Sequence, residues 1–379
     1  MLLLLSATHL HGAAGTAYIP ASDLEVLERR RPMTPAELQW RQRFVSSHTI
    51  SPDLPAALQM ARQFIELSRS EGDPRYLGRA ETVLNRWWES KEATAEVLLL
   101  RATIEQGRHD FVKALDSLDR ALQIEPRSAG AWLTKATIHT VRGEYAEARV
   151  DCLNLSRLAD PLTVMAATAA VASMTGSAEA SLRGLELTLA REQSRTSHQT
   201  LVWAHTLAAE IADRLGRSEA ADAHFSEVFR IAPREPYTLA VWADTQLADG
   251  NQALVVRRLR DMTQSDALLL RYAEAAIQPN SGVDKQTALA AVIELGERID
   301  RAHARGSQLH LREEARYRLH LAHDPAAALQ LAQANWKVQR EPVDWRLLIE
   351  ASRAAGAKDV ETEAHAWATE HRYEDVHWK

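Results

Sequence analysis

Residues 95–126 read AEVLLLRATIEQGRHDFVKALDSLDRALQIEP, and residues 129–161 read AGAWLTKATIHTVRGEYAEARVDCLNLSRLADP. Laid over one another, the two stretches keep step. Leu98 and Trp132, Ala102 and Ala136, Phe111 and Tyr145, and Ala114 and Ala148 are each 34 residues apart. The interval returns further on, from Ala209 to Ala243 and from Gly216 to Gly250. In each stretch a first helical segment, a glycine-containing turn (Gly107, Gly143) and a second helical segment follow in order. Each closes on a proline (Pro126, Pro161), which cannot continue a helix interior. A unit repeated at a fixed period of this size buries its apolar face by stacking on its copies. The spacing therefore predicts an all-α superhelical solenoid of stacked antiparallel helix pairs.

Working outward, residues 55–70 predict one helix, with Ala57, Leu58, Ala61, Phe64, Ile65 and Ser68 on one face at steps of three and four. Glu71-Gly72-Asp73-Pro74 breaks it, and residues 75–88 form its partner. Downstream, residues 163–191 read as a degraded copy with Gly176 at its turn, and residues 202–233 and 236–261 as two clear copies. Residues 268–277 start a further first helix, Pro279-Asn280-Ser281-Gly282 signals a loop, and residues 283–305 read as one long helix. Two divergent pairs, 310–339 and 342–370, follow, with turns at His323-Asp324-Pro325 and Ala355-Gly356. The array thus runs over residues 55–379. Residues 18–54, with Arg29-Arg30-Arg31-Pro32, Pro35 and Pro52, form an irregular arm holding one helical stretch at 37–45. Residues 1–17 read as a signal peptide: a short apolar run at 2–5, then small and polar residues up to Gly15-Thr16-Ala17 before Tyr18. A cleaved leader would place the chain outside the cytoplasm, in the periplasm of a bacterium; a cytoplasmic chain is the alternative. No other segment approaches the ~20 apolar residues that a membrane span needs.

The chain has 379 residues, a length natural for a repeat array whose units pack only on their neighbours. Its formal net charge of −6 lacks the basic excess of a general nucleic-acid binder. With one cysteine, Cys152, no intramolecular disulfide is possible.

These landmarks resemble the tetratricopeptide repeat family. Its 34-residue pattern sets a large residue near position 4, small ones near 8 and 20, glycine near 15, an aromatic near 17, an aromatic or apolar residue near 24 and proline near 32. The copy from Val202 matches at Ala209, Gly216, Ala221, Phe225 and Pro233. The copy from Ala129 matches at Trp132, Ala136, Gly143, Tyr145 and Ala148, with Cys152 where an aromatic is usual and Pro161 one residue late. The copy from Ala95 matches at Ala102, Phe111, Ala114, Ala121 and Pro126, its Gly107 two positions early. The final pair keeps Trp345 and Gly356. The resemblance covers the chain from about Pro55 onward and implies a right-handed superhelix. Small residues let the paired helices approach, and aromatics fill the groove between pairs. Trp132, Trp242 and Trp345 are accordingly expected in the core, and Cys152 as a buried small hydrophobe.

No metalloprotease, serine-hydrolase, nucleotide-binding or redox motif occurs, so the chain reads as a non-enzymatic scaffold without cofactor or bound metal. The resemblance implies that ligands lie in the concave groove lined by the first helices. The corresponding positions are Trp203, Thr206, Glu210 and Asp213 in one copy, and Tyr237, Ala240, Asp244 and Leu247 in the next. This acidic, aromatic patch favours a protein or peptide partner with basic segments. Leu99, Thr103, Leu133 and Thr137 stand where carboxylate-clamp members carry Lys and Asn, so that ligand class is not expected.

A second stripe, His310, Glu313, Tyr317 and His320, shares one helix face. Two imidazoles and a carboxylate suit a borderline metal. At 1.5 Å per residue, however, His310 and His320 stand ~15 Å apart, too far for one ion on a straight helix. Glu313 and Arg316 are expected to form an i,i+3 ion pair. Two alternatives to the scaffold stay open: a small-molecule or metal-binding module on the His310/Glu313/His320 stripe, and an accessory subunit that positions an enzyme partner.

Overall fold

The computed structural model describes residues 53–90, 93–192, 195–304 and 311–378. The expected signal peptide, almost all of the arm, and His310 lie outside the described residues. From residue 54 the chain is a succession of helix pairs. Helix α1 (Leu54–Glu71) pairs with α2 (Arg75–Trp88), α3 (Ala95–Gly107) with α4 (Phe111–Ile124), and α5 (Ala129–Arg142) with α6 (Tyr145–Leu155). They are followed by α7 (Pro161–Ser173) with α8 (Ala178–Glu192), and α9 (His198–Arg214) with α10 (Ser218–Ile231). Next come α11 (Pro236–Ala248) with α12 (Gln252–Leu259) and α13 (Asp266–Ala276) with α14 (Lys285–Ala304). The last two pairs are α15 (Leu311–His320) with α16 (Pro325–Trp336), and α17 (Pro342–Ala355) with α18 (Lys358–His371). Each first helix also packs on the first helix of the next pair. The described residues contain no strand.

Local chemistry explains the boundaries. Side chains of Asp53, Thr94, Ser128, Asp160, Ser197 and Glu235 accept hydrogen bonds from the first-turn amides of the first helices they precede. Those amides have no partner inside the helix, so a polar cap fixes where the helix starts. Within a pair the reversal is made by a residue in the left-handed region: Gly143, Gly216, Gly250 and Gly356 have φ between 72 and 79°. In the 95–126 copy the same place is held by His109, at φ 60°. Gly107 is merely the last residue of α3, which is why its glycine reads as early. Close approach of paired helices is visible at Ala102 and Ala114, Ala136 and Ala148, and Ala209 and Ala221, all 2% exposed or less.

Three expectations need correction. Pro161 does not close a copy; it opens α7, with Asp160 as its cap, because proline at the first helical position has no N–H to lose. Trp132 is only partly buried, with its Nε1–H donating to the Pro126 carbonyl at 3.0 Å and Lys135 over its ring. The Val202 copy starts earlier than its landmarks, since α9 begins at His198. Trp242, Trp345 and Cys152 are buried as expected, and burial pushes the Cys152 thiol up to about 11, out of the nucleophilic range.

The path also bends back on itself. Arg69, at the end of α1, pairs with Glu235 at 3.3 Å across 166 residues. The side chain of Gln339 meets His109 Nδ1 across 230 residues. The Arg340 N–H donates to the Val141 carbonyl at 2.7 Å, and the Glu374 carboxylate accepts from the Ala178 N–H at 2.9 Å. Tyr145, Ala148, Val171 and Met174 share one apolar cluster with Trp345, Leu348 and Trp367. The turns of the early hairpins therefore rest on Gln339 and Arg340 just before the last hairpin, and on the tail that follows it.

Candidate functional site

The expected groove residues separate once placed on the fold. Thr206 is 3% exposed. Its hydroxyl lies 2.8 Å from the Val202 carbonyl and 2.7 Å from the Thr238 hydroxyl, so it joins α9 to α11 in the core and does not face a ligand. Trp203 is partly buried against both main apolar clusters. Asp213 accepts from Arg346 at 3.2 Å and lies 3.4 Å from His377. Asp244 is gripped by Arg271 through two bonds of 2.9 and 2.8 Å and by Arg316 at 2.6 Å. Glu210 accepts from the Tyr237 hydroxyl at 2.7 Å. The acidic patch is thus largely answered by arginines of the same chain.

These pairs extend into a ladder. Arg316 also makes two bonds of 2.7 Å to Glu274. Glu274 accepts from His320 Nδ1 at 2.8 Å, and His320 Nε2 reaches Glu350 at 3.0 Å. Asp244, Glu274, Arg316 and Glu350 stand on α11, α13, α15 and α17. The ladder therefore crosses the first helices of four successive pairs, which places those helices side by side along one inner face, with a left-handed residue closing each sharp turn of the clear copies.

The array is an all-α solenoid of stacked antiparallel helix pairs. Two solved structures align with it. One is a tetratricopeptide repeat protein from Parabacteroides merdae ATCC 43184, 15% identical, with a TM-score of 0.38 over 68% of this chain and 98% of that one. The other is the tetratricopeptide repeat domain of P58(IPK), 12% identical, with a TM-score of 0.23 over 79% of this chain and 99% of that one. No protein-family model and no curated protein matches the chain.

In this array the His310 stripe is not gathered into one site. His310 lies outside the described residues. Tyr317 packs over α14, where a Cβ on Gly296 would come within 2.6 Å of its hydroxyl. Arg316, expected to pair with Glu313, pairs with Asp244 and Glu274. His320 presents both ring nitrogens to carboxylates. Burial alone would strip its proton, but Glu274 and Glu350 overcome that and push it up to about 9. An imidazolium has no lone pair for a metal, and no three His, Cys, Asp or Glu side chains among the described residues are grouped to hold one. Burial would likewise raise the Glu274 carboxyl; the charges of Arg316 and His320 hold it down at about 2.

Two further clusters lie outside the residues that the sequence pointed to. Arg312 bonds Asp344 at 2.6 and 2.9 Å, Gln339 at 2.8 Å, and Glu341. Asn335 adds a bond to Asp344 at 2.7 Å. Arg312 and Arg346 are 34 residues apart, so the period that found the helices also marks these cations. The second cluster joins α9 to α10: His205 and His224 meet Nδ1 to Nδ1 at 3.0 Å, and the buried Nε2 of His205 has no hydrogen-bond partner. Burial, with the neighbouring His224, pulls His205 down to about 4.

The two histidines predict opposite pH dependence. The His320 contribution is full below pH ~6.5, the unfolded value, and is lost as pH rises through about 9. The His205 contribution is full above pH ~6.5 and is lost as pH falls through about 4. Thermal melting of His320→Gln and His205→Phe against the native chain from pH 4 to 10 checks both. The His320→Gln deficit should shrink on the alkaline side. His205→Phe should flatten the acid limb.

Proposed function

We propose that this chain is a non-enzymatic scaffold that holds a protein or peptide partner, through basic side chains, at the mouth of its inner face around Glu210 and Tyr237. The observation that carries this reading is the one acidic groove residue answered by a tyrosine, where Asp213 and Asp244 are answered by arginines. Tyr237 keeps half of its surface exposed. Around it the walls of the groove supply a low-dielectric surround. That burial pushes the Glu210 carboxyl up to about 7 against the Tyr237 hydrogen bond, with nearby Glu341 adding to the rise and Arg214 and Arg312 opposing it. A carboxyl in this state gains most from an arriving cation, which would pair with Glu210 and rest on the Tyr237 ring.

The linkage follows directly. A bound Lys or Arg favours ionised Glu210, so binding releases a proton and tightens as pH rises through about 7. A fluorescent Arg-rich dodecapeptide, titrated by anisotropy, should lose about tenfold in affinity on Glu210→Gln and a similar factor on Tyr237→Ala, each worth about 1.4 kcal/mol. Equal affinity in the native chain and Glu210→Gln would remove the inner mouth from the account. Export, read from residues 1–17, belongs to the same proposal, and recovery of the chain wholly from the cytoplasmic fraction would overturn that part.

A further inference from the structure

The outer face offers a different chemistry. Most of the large apolar side chains left exposed stand on second helices, among them Val112, Leu153, Leu187, Leu254, Leu289 and Ile293. At one place this outer surface sinks into a cavity of about 390 Å³ between α10, α11 and α12. Its floor is aromatic. Phe225 and Phe229 stack at 6.4 Å, and Trp242 meets Phe229 edge-on at 5.9 Å. Leu254 forms one wall and Asp222 another. The Arg258 guanidinium lies 4.6 Å from the centre of the Phe229 ring, and one of its nitrogens donates to the Pro233 carbonyl at 3.0 Å. Its Nε is buried and has no hydrogen-bond partner. An unsatisfied buried donor in an aromatic cleft is a costly feature that an acceptor from outside would relieve.

The α12 side of the rim is basic, while Asp222 on α10 is the acid of the lining. Helix α12 contains no acidic residue and ends Arg257-Arg258-Leu259, with Arg260 next. Arg257 is exposed and has no ion pair among the described residues. Arg260 is also exposed, and its ion-pair partner among the described residues is Asp261, at 3.7 Å.

We propose that this outer groove docks a peptide segment in which a large apolar or aromatic residue stands beside one or more carboxylates. The anchor fills the cleft over Phe225, Phe229 and Trp242. A carboxylate accepts from Arg258, and the remaining acids face Arg257 and Arg260. The site is lined by side chains that take no part in the Glu210–Tyr237 pair and has the opposite charge preference, so one chain can hold two partners at once. It does not rest on the inner-mouth reading.

The test pans a displayed library of random 12-residue peptides on the full chain and measures the enriched peptides by anisotropy. Winners should combine an aromatic or large aliphatic residue with Asp or Glu. Leu254→Glu and Arg257→Glu should each weaken them at least tenfold, and higher salt should weaken them further. Both substitutions are at exposed positions, so melting temperatures should stay within a few degrees; this guards against Phe229→Ala, which removes a packed ring. Glu210→Gln should leave these peptides unaffected, which separates a failure here from a failure at the inner mouth. The proposal is overturned if no peptide enriches, if the winners carry no acid, or if Leu254→Glu and Arg257→Glu bind as the native chain does. It is also overturned if light scattering shows a dimer that Leu254→Glu dissolves, because the groove then belongs to a second copy.

Discussion

Arg316→Met is expected to destabilise the fold by about 3–5 kcal/mol, measured by urea denaturation at neutral pH. Arg316 stands between Asp244 and Glu274, with short bonds to each. All three side chains are largely withdrawn from water, Glu274 most of all. Removing the cation strands carboxylates that the groove walls cannot solvate, and an uncompensated buried charge costs far more than the intact pair contributes. Arg271 and His320 remain as partial answers to Asp244 and Glu274, so the loss should stand toward the lower end of that range. The exposed pair Lys113–Asp110 provides the contrast, since water screens it and breaking it strands no buried charge. Glu274 is held at about 2, below its usual value near 4.5. Its share of the stability is full above that usual value and is lost as pH falls toward about 2. The deficit of Arg316→Met should therefore narrow in acid. A loss below 1 kcal/mol would mean that the ladder does not carry the packing of α11, α13 and α15.

Trp345→Ala is expected to cost about 3–5 kcal/mol and to loosen regions far away in sequence. The indole is 2% exposed. Its Nε1–H donates to the Ala364 carbonyl at 2.8 Å, and Tyr373 and His365 meet it edge-on at 5.3 and 5.7 Å. The same apolar cluster contains Tyr145, Ala148, Val171 and Met174 of the early hairpins. A hole at Trp345 thus weakens both α17 against α18 and the seam between late and early hairpins. Hydrogen exchange should show faster opening around Gly143 and Gly176, whose turns lie against Arg340 and Arg372. Confinement of the change to residues 342–371 would show that the seam holds without this ring.

The helix pairs were legible because their determinants are local. A small residue such as Ala136 or Ala148 permits close packing within its own hairpin, and a cap such as Ser128 starts its own helix. Each leaves its mark within one 34-residue window. The closure was not legible. Contacts such as Gln339 with His109 join residues 230 apart, and no period encodes which hairpin meets which after the path has turned. The groove was legible in composition only. Asp213 and Asp244 read as acids open to a partner, but their answering cations, Arg346, Arg271 and Arg316, lie on α17, α13 and α15, where they resemble an ordinary charged helix face. Thr206 lies in the core and not on the groove for a related reason. Its hydroxyl satisfies itself on the Val202 carbonyl, so a polar residue can be buried where helical periodicity alone suggests an exposed face.

The most direct test of this closed, self-answered groove is a double-mutant cycle on Asp213 and Arg346, 133 residues apart and joined at 3.2 Å. Asp213→Asn, Arg346→Met and the double variant are compared by urea denaturation. A closed superhelix predicts a coupling energy of about 1–3 kcal/mol, whereas an open solenoid, in which the two residues never meet, predicts additivity within about 0.5 kcal/mol and would contradict it.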